Sequence, residues 1–310
     1  MITRKFLSEF GLNMISGYRF LLQQQHLDSI NSTGVDPHIY LIGKRPKISI
    51  NPSSFKITQD SITIEFRKQI KDTYISIPVT APNRLGIAEV SLECEYPYTD
   101  FRFIDGTGKS VAGGSSALIL STLGSQFFEH TDIEILYIGQ SYGKHGSRNA
   151  ADRLKKHETL QGIYSEAIKN SPDCDIWLIL CTFEPILVSS FDGRNPYSVT
   201  IDEDTDHMKK VLESEITEQQ QINFTEAALI RYFQPQYTVI YKDSFPNPAH
   251  STYSECYDLD LNMVSAEIQT DDLMVRLWSH AAEPNWVHLC SFPLHSREDR
   301  VYMFDLDYLS

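Results

Sequence analysis

The change of structural class along this chain is decided by the stretch Ile133-Glu-Ile-Leu-Tyr-Ile-Gly-Gln-Ser141. Its apolar residues predict a strand over 133–138, which ends at Tyr-Ile-Gly. Helices are predicted before this strand, over 115–128, and after it, over 150–170, where Gly162 is a place at which the second helix could break. Another strand is predicted over 176–183. Mixed α/β organisation therefore begins near residue 101.

The regions on both sides are richer in strands. The first hundred residues open with a predicted helix near 10–27 and continue with strand-like runs over 39–42, 47–50, 61–66 and 74–79. After residue 248, short strands are predicted over 273–277, 286–290 and 300–304. We therefore divide the chain into a β-rich N-terminal domain of unknown role (1–100), a central domain (101–248) and a β-rich C-terminal segment (249–310).

Composition limits the classes of protein to which the chain can belong. Its 310 residues are 41% hydrophobic, enough to bury at least one full core. No apolar run approaches the roughly 20 residues that span a bilayer, and no secretory apolar stretch follows Met1, so we expect a cytoplasmic protein without membrane contact. The five cysteines are scattered without CxxC spacing, which argues against structural zinc and a disulfide framework.

Charge is unevenly distributed. The formal charge of −14 argues against non-specific coating of nucleic acid, because the mean field would repel phosphates. One stretch is basic despite this average, with the cations Lys144, His145, Arg148, Arg153, Lys155, Lys156 and His157 and one opposing carboxylate, Asp152. Any contact with nucleic acid is therefore expected to be local, and a solvated helix face is the alternative.

Arg153 and His157 lie four residues apart in the predicted helix. At this spacing both side chains leave the same face, one turn apart, and could hold one phosphate together. A guanidinium offers paired donors to phosphate oxygens, and a neutral imidazole can take or give a proton near neutral pH. An amphipathic helix with its polar face in water would show the same spacing.

Glu226 follows Thr225, a predicted N-cap, and opens a helix in which Ile230 and Phe233 share its face. A carboxylate aligned with an apolar stripe faces the protein body and needs a cation or a donor. A magnesium ion held by one carboxylate, several waters and a substrate phosphate would meet this need. Alternatively, Glu226 only complements the positive end of the helix dipole.

These residues resemble the GIY-YIG nuclease superfamily. Leu136-Tyr-Ile-Gly-Gln-Ser141 corresponds to its second signature strand, Arg153 and His157 to its helix pair, and Glu226 to its acidic residue. The segment 225–237 is similar to the matching helix of the excision-repair endonuclease subunit. The resemblance covers about 101–248 and implies an α+β fold class, with a small central antiparallel sheet flanked by helices between β-rich N-terminal and C-terminal segments.

Two positions depart from the superfamily pattern. The first signature strand, normally a Gly-Ile-Tyr shortly before the second, has no recognisable counterpart, and 101–104 is the best substitute although it lacks the tyrosine. Gly162-Ile-Tyr164 spells the tripeptide but follows Tyr137 in a helical region, so we interpret it as chance. Thr238 replaces the usual asparagine after the last helix. These departures leave the general base open.

The resemblance implies a divalent-metal-dependent endonuclease that hydrolyses phosphodiester bonds in DNA, of a restriction or phage-defence kind, with RNA left open as a substrate. Tyr137 would orient or deprotonate a water, Arg153 would neutralise charge on the phosphate, and His157 would bind the phosphate or relay a proton. Glu226 would hold one Mg²⁺ or Mn²⁺. Four further residues are expected to bind substrate, namely Tyr142, Lys144, Arg148 and Lys156.

Two alternatives belong to other classes of protein. The first is a catalytically degenerate module of this superfamily that binds nucleic acid or a protein partner without cutting, which the acidic charge and the missing first tyrosine favour. The second is an interaction protein whose Tyr-Ile-Gly is accidental. A homodimer or a protein partner is also an open expectation, because one active site makes one cut in a duplex.

Overall fold

The computed structural model describes residues 4–142, 150–155, 157–193 and 197–304. Within these ranges the strands are β1 Ser8–Leu22, β2 Ile39–Pro46, β3 Ile48–Ile57, β4 Ser61–Ile70, β5 Thr73–Pro82, β6 Val90–Glu93, β7 Asp100–Asp105, β8 Ser110–Ser115, β9 Ile133–Gln140, β10 Cys174–Phe191, β11 Met263–Gln269, β12 Leu277–Ser279, β13 Ala282–Asn285 and β14 Val287–Pro293. The α-helices are α1 Ser116–Thr122, α2 Ala150–Leu154, α3 Glu158–Asn170, α4 Ile201–Glu213, α5 Glu218–Phe233 and α6 Glu255–Asp258. Shorter 3₁₀ helices cover Gln24–Ser32, Ser125–His130 and Ser251–Tyr253.

An eight-stranded mixed sheet is the centre of the described structure, in the order β13-β12-β9-β2-β10-β1-β11-β14. Most of its pairs are antiparallel, whereas β1 with β11 and β9 with β12 are parallel. The sheet takes strands from all three of the predicted segments. The expectation of a small central antiparallel sheet flanked by helices was therefore wrong, because long-range pairing joins strands from both ends of the chain to β9.

Residues 48–131, which we call the inserted module, lie in sequence between β2 and β9. They form two three-stranded antiparallel sheets, β3-β4-β5 and β6-β7-β8, and the helix α1. Apolar side chains of both sheets and of α1 share one core, among them Phe66, Phe101 and Leu120. The strands expected over 47–50, 61–66 and 74–79 are all present here.

The two faces of the large sheet are covered differently. One face packs against α5 in a core that includes Leu41, Ile138 and Phe233. The other face packs against α2 and α3 in a core that includes Tyr40, Leu154 and Ile163. Successive residues of a strand point to opposite faces, so Tyr40 and Leu41 enter different cores. The end of β9 is consequently placed between helices on both sides.

Several predicted helices differ from the observed elements. The helix expected near 10–27 is the strand β1, because the apolar residues Phe10, Leu12 and Met14 alternate and β1 pairs with strands on both sides. The helix expected over 115–128 ends at Thr122 and is followed by a 3₁₀ turn. In the C-terminal part, 300–304 forms turn and irregular structure in place of a strand.

The single helix predicted over 150–170 is two helices, and the break precedes the place expected. α2 ends at Leu154, and His157 lies outside the helix as the N-cap of α3, while Gly162 lies within α3. Arg153 and His157 therefore do not share one helical face. α5 begins at Glu218, so Thr225 is an interior residue whose hydroxyl donates to the carbonyl of Gln221.

No helix in the described part of the chain is long and apolar enough to cross a membrane.

Candidate active site

The site is built at the carboxyl end of β9, where β2 runs antiparallel to it. In this register Tyr40 lies opposite Gly139, and Ile42 lies opposite Tyr137. The register shifts between Ile42 and Gly43, which is a β-bulge. The rings of Tyr40 and Tyr137 are stacked, with 6.2 Å between their centroids. Two tyrosines from neighbouring strands thus meet on one side of the sheet.

Gly139 makes this contact possible because it lacks a side chain. A Cβ atom at this position would lie 2.6 Å from the Tyr40 hydroxyl oxygen and 2.8 Å from Cε1 of Tyr137. Distances below about 3 Å between such atoms require a shift of the neighbours. Both rings therefore pack directly against the backbone of Gly139, where a larger residue would clash with them.

His157 continues the arrangement from the start of α3. Its Nδ1 accepts a hydrogen bond from the backbone N–H of Leu160 at 3.1 Å, as an N-cap side chain does. Burial and the charge of Arg153 lower the pKa of His157, so the neutral ring carries its proton on Nε2. That N–H donates to the hydroxyl oxygen of Tyr40 at 2.8 Å.

Tyr40, whose hydroxyl accepts from His157, packs its ring against that of Tyr137. Burial and the neighbouring Tyr137 raise the pKa of Tyr40. Burial and the charge of Glu226 raise the pKa of Tyr137, whereas Arg153 and the hydrogen bond from Tyr40 lower it. The balance of these effects is a raised pKa, so Tyr137 is a neutral phenol near neutral pH.

Glu226 lies on the side of α5 that faces β9 and is only 7% exposed. The side chain of Gln140 donates to its Oε2 at 2.9 Å and also to Oδ1 of Asn223 at 2.7 Å. Burial raises the pKa of Glu226 to about 7, although Gln140 and the charge of Arg153 act in the opposite direction. This carboxyl group is thus buried with a neutral donor, and no cation of the described residues is in contact with it.

Arg153 is exposed on α2, next to the buried residues Ala151 and Leu154. No carboxylate of the described residues lies within ion-pair distance of its guanidinium group. Its charge nevertheless acts on Tyr40, Tyr137 and Glu226, and on His157 as well. The arginine therefore stands beside this group of side chains with its donors available.

The structure brings together the four residues predicted as catalytic, which are Tyr137, Arg153, His157 and Glu226. The predicted substrate-binding residues Lys144, Arg148 and Lys156, as well as His145, lie outside the described residues. Tyr142 is described, and its hydroxyl donates to Glu218 Oε2 at 2.8 Å at the start of α5. We call the set of Tyr40, Tyr137, Gln140, Arg153, His157 and Glu226 the tyrosine–glutamate site.

The expected geometry of two residues is different in the structure. Both ring nitrogens of His157 have partners in Leu160 and Tyr40, so His157 positions a tyrosine and is not free to grip a phosphate beside Arg153. Thr238 lies in the turn after α5 and contacts β9. Its hydroxyl accepts from the backbone N–H of Ile138 at 3.4 Å, which ties the turn after α5 to β9.

Sequence reasoning missed Tyr40 and Gln140. Tyr40 belongs to His38-Ile-Tyr40, which differs from Gly-Ile-Tyr only at its first residue, but the inserted module separates it from Tyr137. The substitute proposed over 101–104 is β7 of that module and lies outside the site. A search for Ile-Tyr on any upstream strand that could pair with β9 would have found Tyr40.

Among the described residues of the site, Glu226 is the one side chain suited to bind a divalent cation. A carboxylate that is buried without a cation in contact suits a hard cation with oxygen ligands. The described residues contain no group of three or more His, Cys, Asp or Glu side chains arranged to hold a metal. The site thus fits a cation that takes one protein ligand and keeps other ligands from water or substrate.

Comparisons of the chain with protein-family models, with curated proteins and with solved structures gave no match.

Proposed function

We propose that the tyrosine–glutamate site hydrolyses phosphodiester bonds in DNA with the help of one divalent cation, Mg²⁺ or Mn²⁺. The observation that carries this proposal is the hydrogen bond from His157 to Tyr40 and the stacking of Tyr40 on Tyr137, beside a buried carboxyl group and an exposed arginine. A phosphodiester has a negative charge to neutralise and needs an activated water, and the site supplies groups of both kinds.

Tyr137 would act on the water. As the phenolate, Tyr137 would orient a nearby water with its Oη and take the proton of that water during in-line attack. Tyr40 lowers the pKa of Tyr137 and so favours this form, although burial acts more strongly in the opposite direction. His157 holds Tyr40 in this orientation, because its proton is fixed on Nε2 by the N–H of Leu160.

Arg153 and Glu226 would act on the negative charge of the phosphate, the first directly and the second through the cation that it binds. The guanidinium group of Arg153 donates to the nonbridging oxygens of the phosphate and neutralises charge as it builds there. Glu226 holds the cation, and Gln140 orients the carboxylate. When bound, the cation supplies Lewis-acid polarisation of the phosphate and stabilises the leaving oxygen.

The test is a nicking assay with supercoiled plasmid, Mg²⁺ or Mn²⁺ and purified protein. Arg153→Ala and Glu226→Ala are compared with two matched controls, Arg102→Ala and Glu213→Ala, which remove exposed residues of the same types elsewhere. We expect metal-dependent nicking by the wild type and by both controls, and its loss in both site variants. Cleavage that survives Glu226→Ala would show that the metal assignment is wrong.

The same assay separates the alternative of a module that binds without cutting. The missing first signature tyrosine was one reason for that alternative. Tyr40, which lies opposite Gly139, is a candidate for this missing tyrosine. Retained binding of plasmid without turnover, with every DNA and RNA substrate and both metals, would favour the binding module over the nuclease.

A further inference from the structure

The inserted module contains an apolar pocket of about 410 Å³. Its walls come from β4, β5, β7 and α1, with Phe66, Val79, Phe103 and Ile119 among the lining residues. The hydroxyl of Thr122, which also lines the pocket, donates to the carbonyl of Ile119 at 2.8 Å. The volume falls in the range of about 300–1,000 Å³ that is common for small-molecule sites.

Arg84 is the one charged side chain among the described residues that line this pocket. It is exposed, and no carboxylate in the described part of the chain lies within ion-pair distance of its guanidinium group. The other two arginines of the module do have such partners, since Arg67 pairs with Glu65 and Arg102 pairs with Glu93. An apolar cavity thus has a single unpaired cation on its lining.

We propose that this pocket binds a small amphipathic carboxylate, with its apolar body between the two sheets of the module and its carboxylate on Arg84. A guanidinium group offers two parallel donors that match the two oxygens of a carboxylate. The rest of the lining offers apolar contact and almost no polar group, which favours an aliphatic or aromatic acid over a nucleobase, whose edges need hydrogen-bond partners. This site is separate from the proposed nuclease activity and does not depend on it.

Charge complementarity distinguishes this ligand from other occupants of an apolar groove. A peptide segment or a second copy of the chain would bury the apolar walls whether or not Arg84 is charged. A carboxylate depends on Arg84, because removing the guanidinium group leaves the anion without a partner. Decanoate and decanol share an apolar tail and differ in charge, so they are a matched pair of probes.

The experiment measures binding of decanoate and of decanol to the full chain, below their aggregation limits, by calorimetry and by the rise in melting temperature. Arg84→Gln is compared with wild type and with Arg102→Gln, an exposed arginine outside this pocket. We expect decanoate to bind wild type and Arg102→Gln alike and Arg84→Gln about tenfold or more weakly. Decanol should bind wild type and Arg84→Gln equally.

Three results would overturn the proposal. The first is that decanoate does not bind the wild type at all. The second is equal affinity of wild type for decanoate and decanol, which would point to an occupant recognised by apolar contact alone, such as a peptide or a second copy. The third is unchanged decanoate affinity in Arg84→Gln, since Arg84 is exposed and its replacement should leave the fold intact.

Discussion

Two buried glutamates have different surroundings, although both are almost inaccessible to water. Glu9 in β1 accepts hydrogen bonds from the backbone N–H groups of Lys5 and Phe6, from Asn262 and from two nitrogens of Arg300. Glu226 in α5 accepts from the side chain of Gln140, and no cation contacts it in the described structure. One carboxylate is fully compensated, and the other is not.

The difference indicates what each carboxylate does. Glu9 joins the first strand to the C-terminal part of the chain through its ion pair with Arg300. Arg300 also contacts Asp260. A buried pair of this kind fixes which segments lie together, and breaking it leaves a buried charge with fewer partners. The burial of Glu226 disfavours its charged form, and its described neighbours do not offset this effect. Residues of this kind are concentrated at functional sites. Four experiments test this comparison.

The largest effect is expected for Glu226→Gln on cleavage. The amide has nearly the same shape, but it cannot carry the charge that holds the cation, so the rate of metal-dependent nicking should fall by about a thousandfold. Initial rates on supercoiled plasmid measure this change. The free energy of unfolding should stay the same or rise, since a buried charge is removed, and a clear loss of stability would mean that Glu226 is structural like Glu9.

Glu9→Gln should act on stability instead. The guanidinium group of Arg300 would lose one of its two carboxylate partners and keep Asp260, which costs about 1.5–3 kcal/mol. Urea denaturation followed by circular dichroism measures the free energy of unfolding. The double variant with Arg300→Met should recover much of the loss, because both fully buried charges are then removed and Asp260 keeps Lys5 as a partner. A loss below about 1 kcal/mol for Glu9→Gln would show that this pair is not the anchor that its contacts indicate.

Gly139→Ala should reduce cleavage while it leaves Glu9 and its surroundings untouched. The added methyl group meets the Tyr40 hydroxyl and the Tyr137 ring, so both rings must move. A displacement of about 1 Å at a reacting group can lower a rate by about a hundredfold. Plasmid nicking rates test this, with a melting curve as the control for folding. Activity equal to wild type would mean that the position of Tyr40 does not matter.

The smallest effect concerns the dependence of stability on pH in the presence of a chelator. Glu226 has a pKa of about 7 in the folded protein, above its ordinary value of 4.5. Between these values the unfolded chain loses the proton first, so the wild type loses stability as pH rises, and above about 7 the penalty is constant. The stability advantage of Glu226→Gln should therefore grow from pH 4.5 to 7 and then level off. A constant advantage across this range would contradict the raised pKa.

Local sequence patterns predicted many of the strands, but pairing between distant segments determines how the strands are arranged into sheets. The alternation in β4 and β5 and the apolar run in β9 were sufficient to place these strands. The first strand was taken for a helix, because its pairing with β10 and β11, from distant parts of the sequence, is not visible locally. The eight-stranded sheet depends on the same distant pairings, so the sequence alone did not predict it.

The candidate site shows the same limit. Tyr137, Arg153, His157 and Glu226 could be selected because each carries chemistry that a phosphodiester cutter needs. Tyr40 was not selected, since the inserted module places it far from Tyr137 in sequence although the two strands are neighbours. Gln140 has no charge and no proton to transfer, and its role depends on contact with Asn223 and Glu226, which only the fold creates.

The most direct test compares two tyrosine variants, Tyr40→Phe and Tyr164→Phe, in the nicking assay with Mg²⁺. Tyr164 belongs to a second Ile-Tyr of the chain, in α3, and packs against the same core outside the site. The account holds that the hydrogen bond from His157 to Tyr40 and the contact of Tyr40 with Tyr137 position the residue that activates the attacking water. Tyr40→Phe should then lose most of the nicking rate, while Tyr164→Phe should retain it. Equal activity of Tyr40→Phe and wild type would contradict this account.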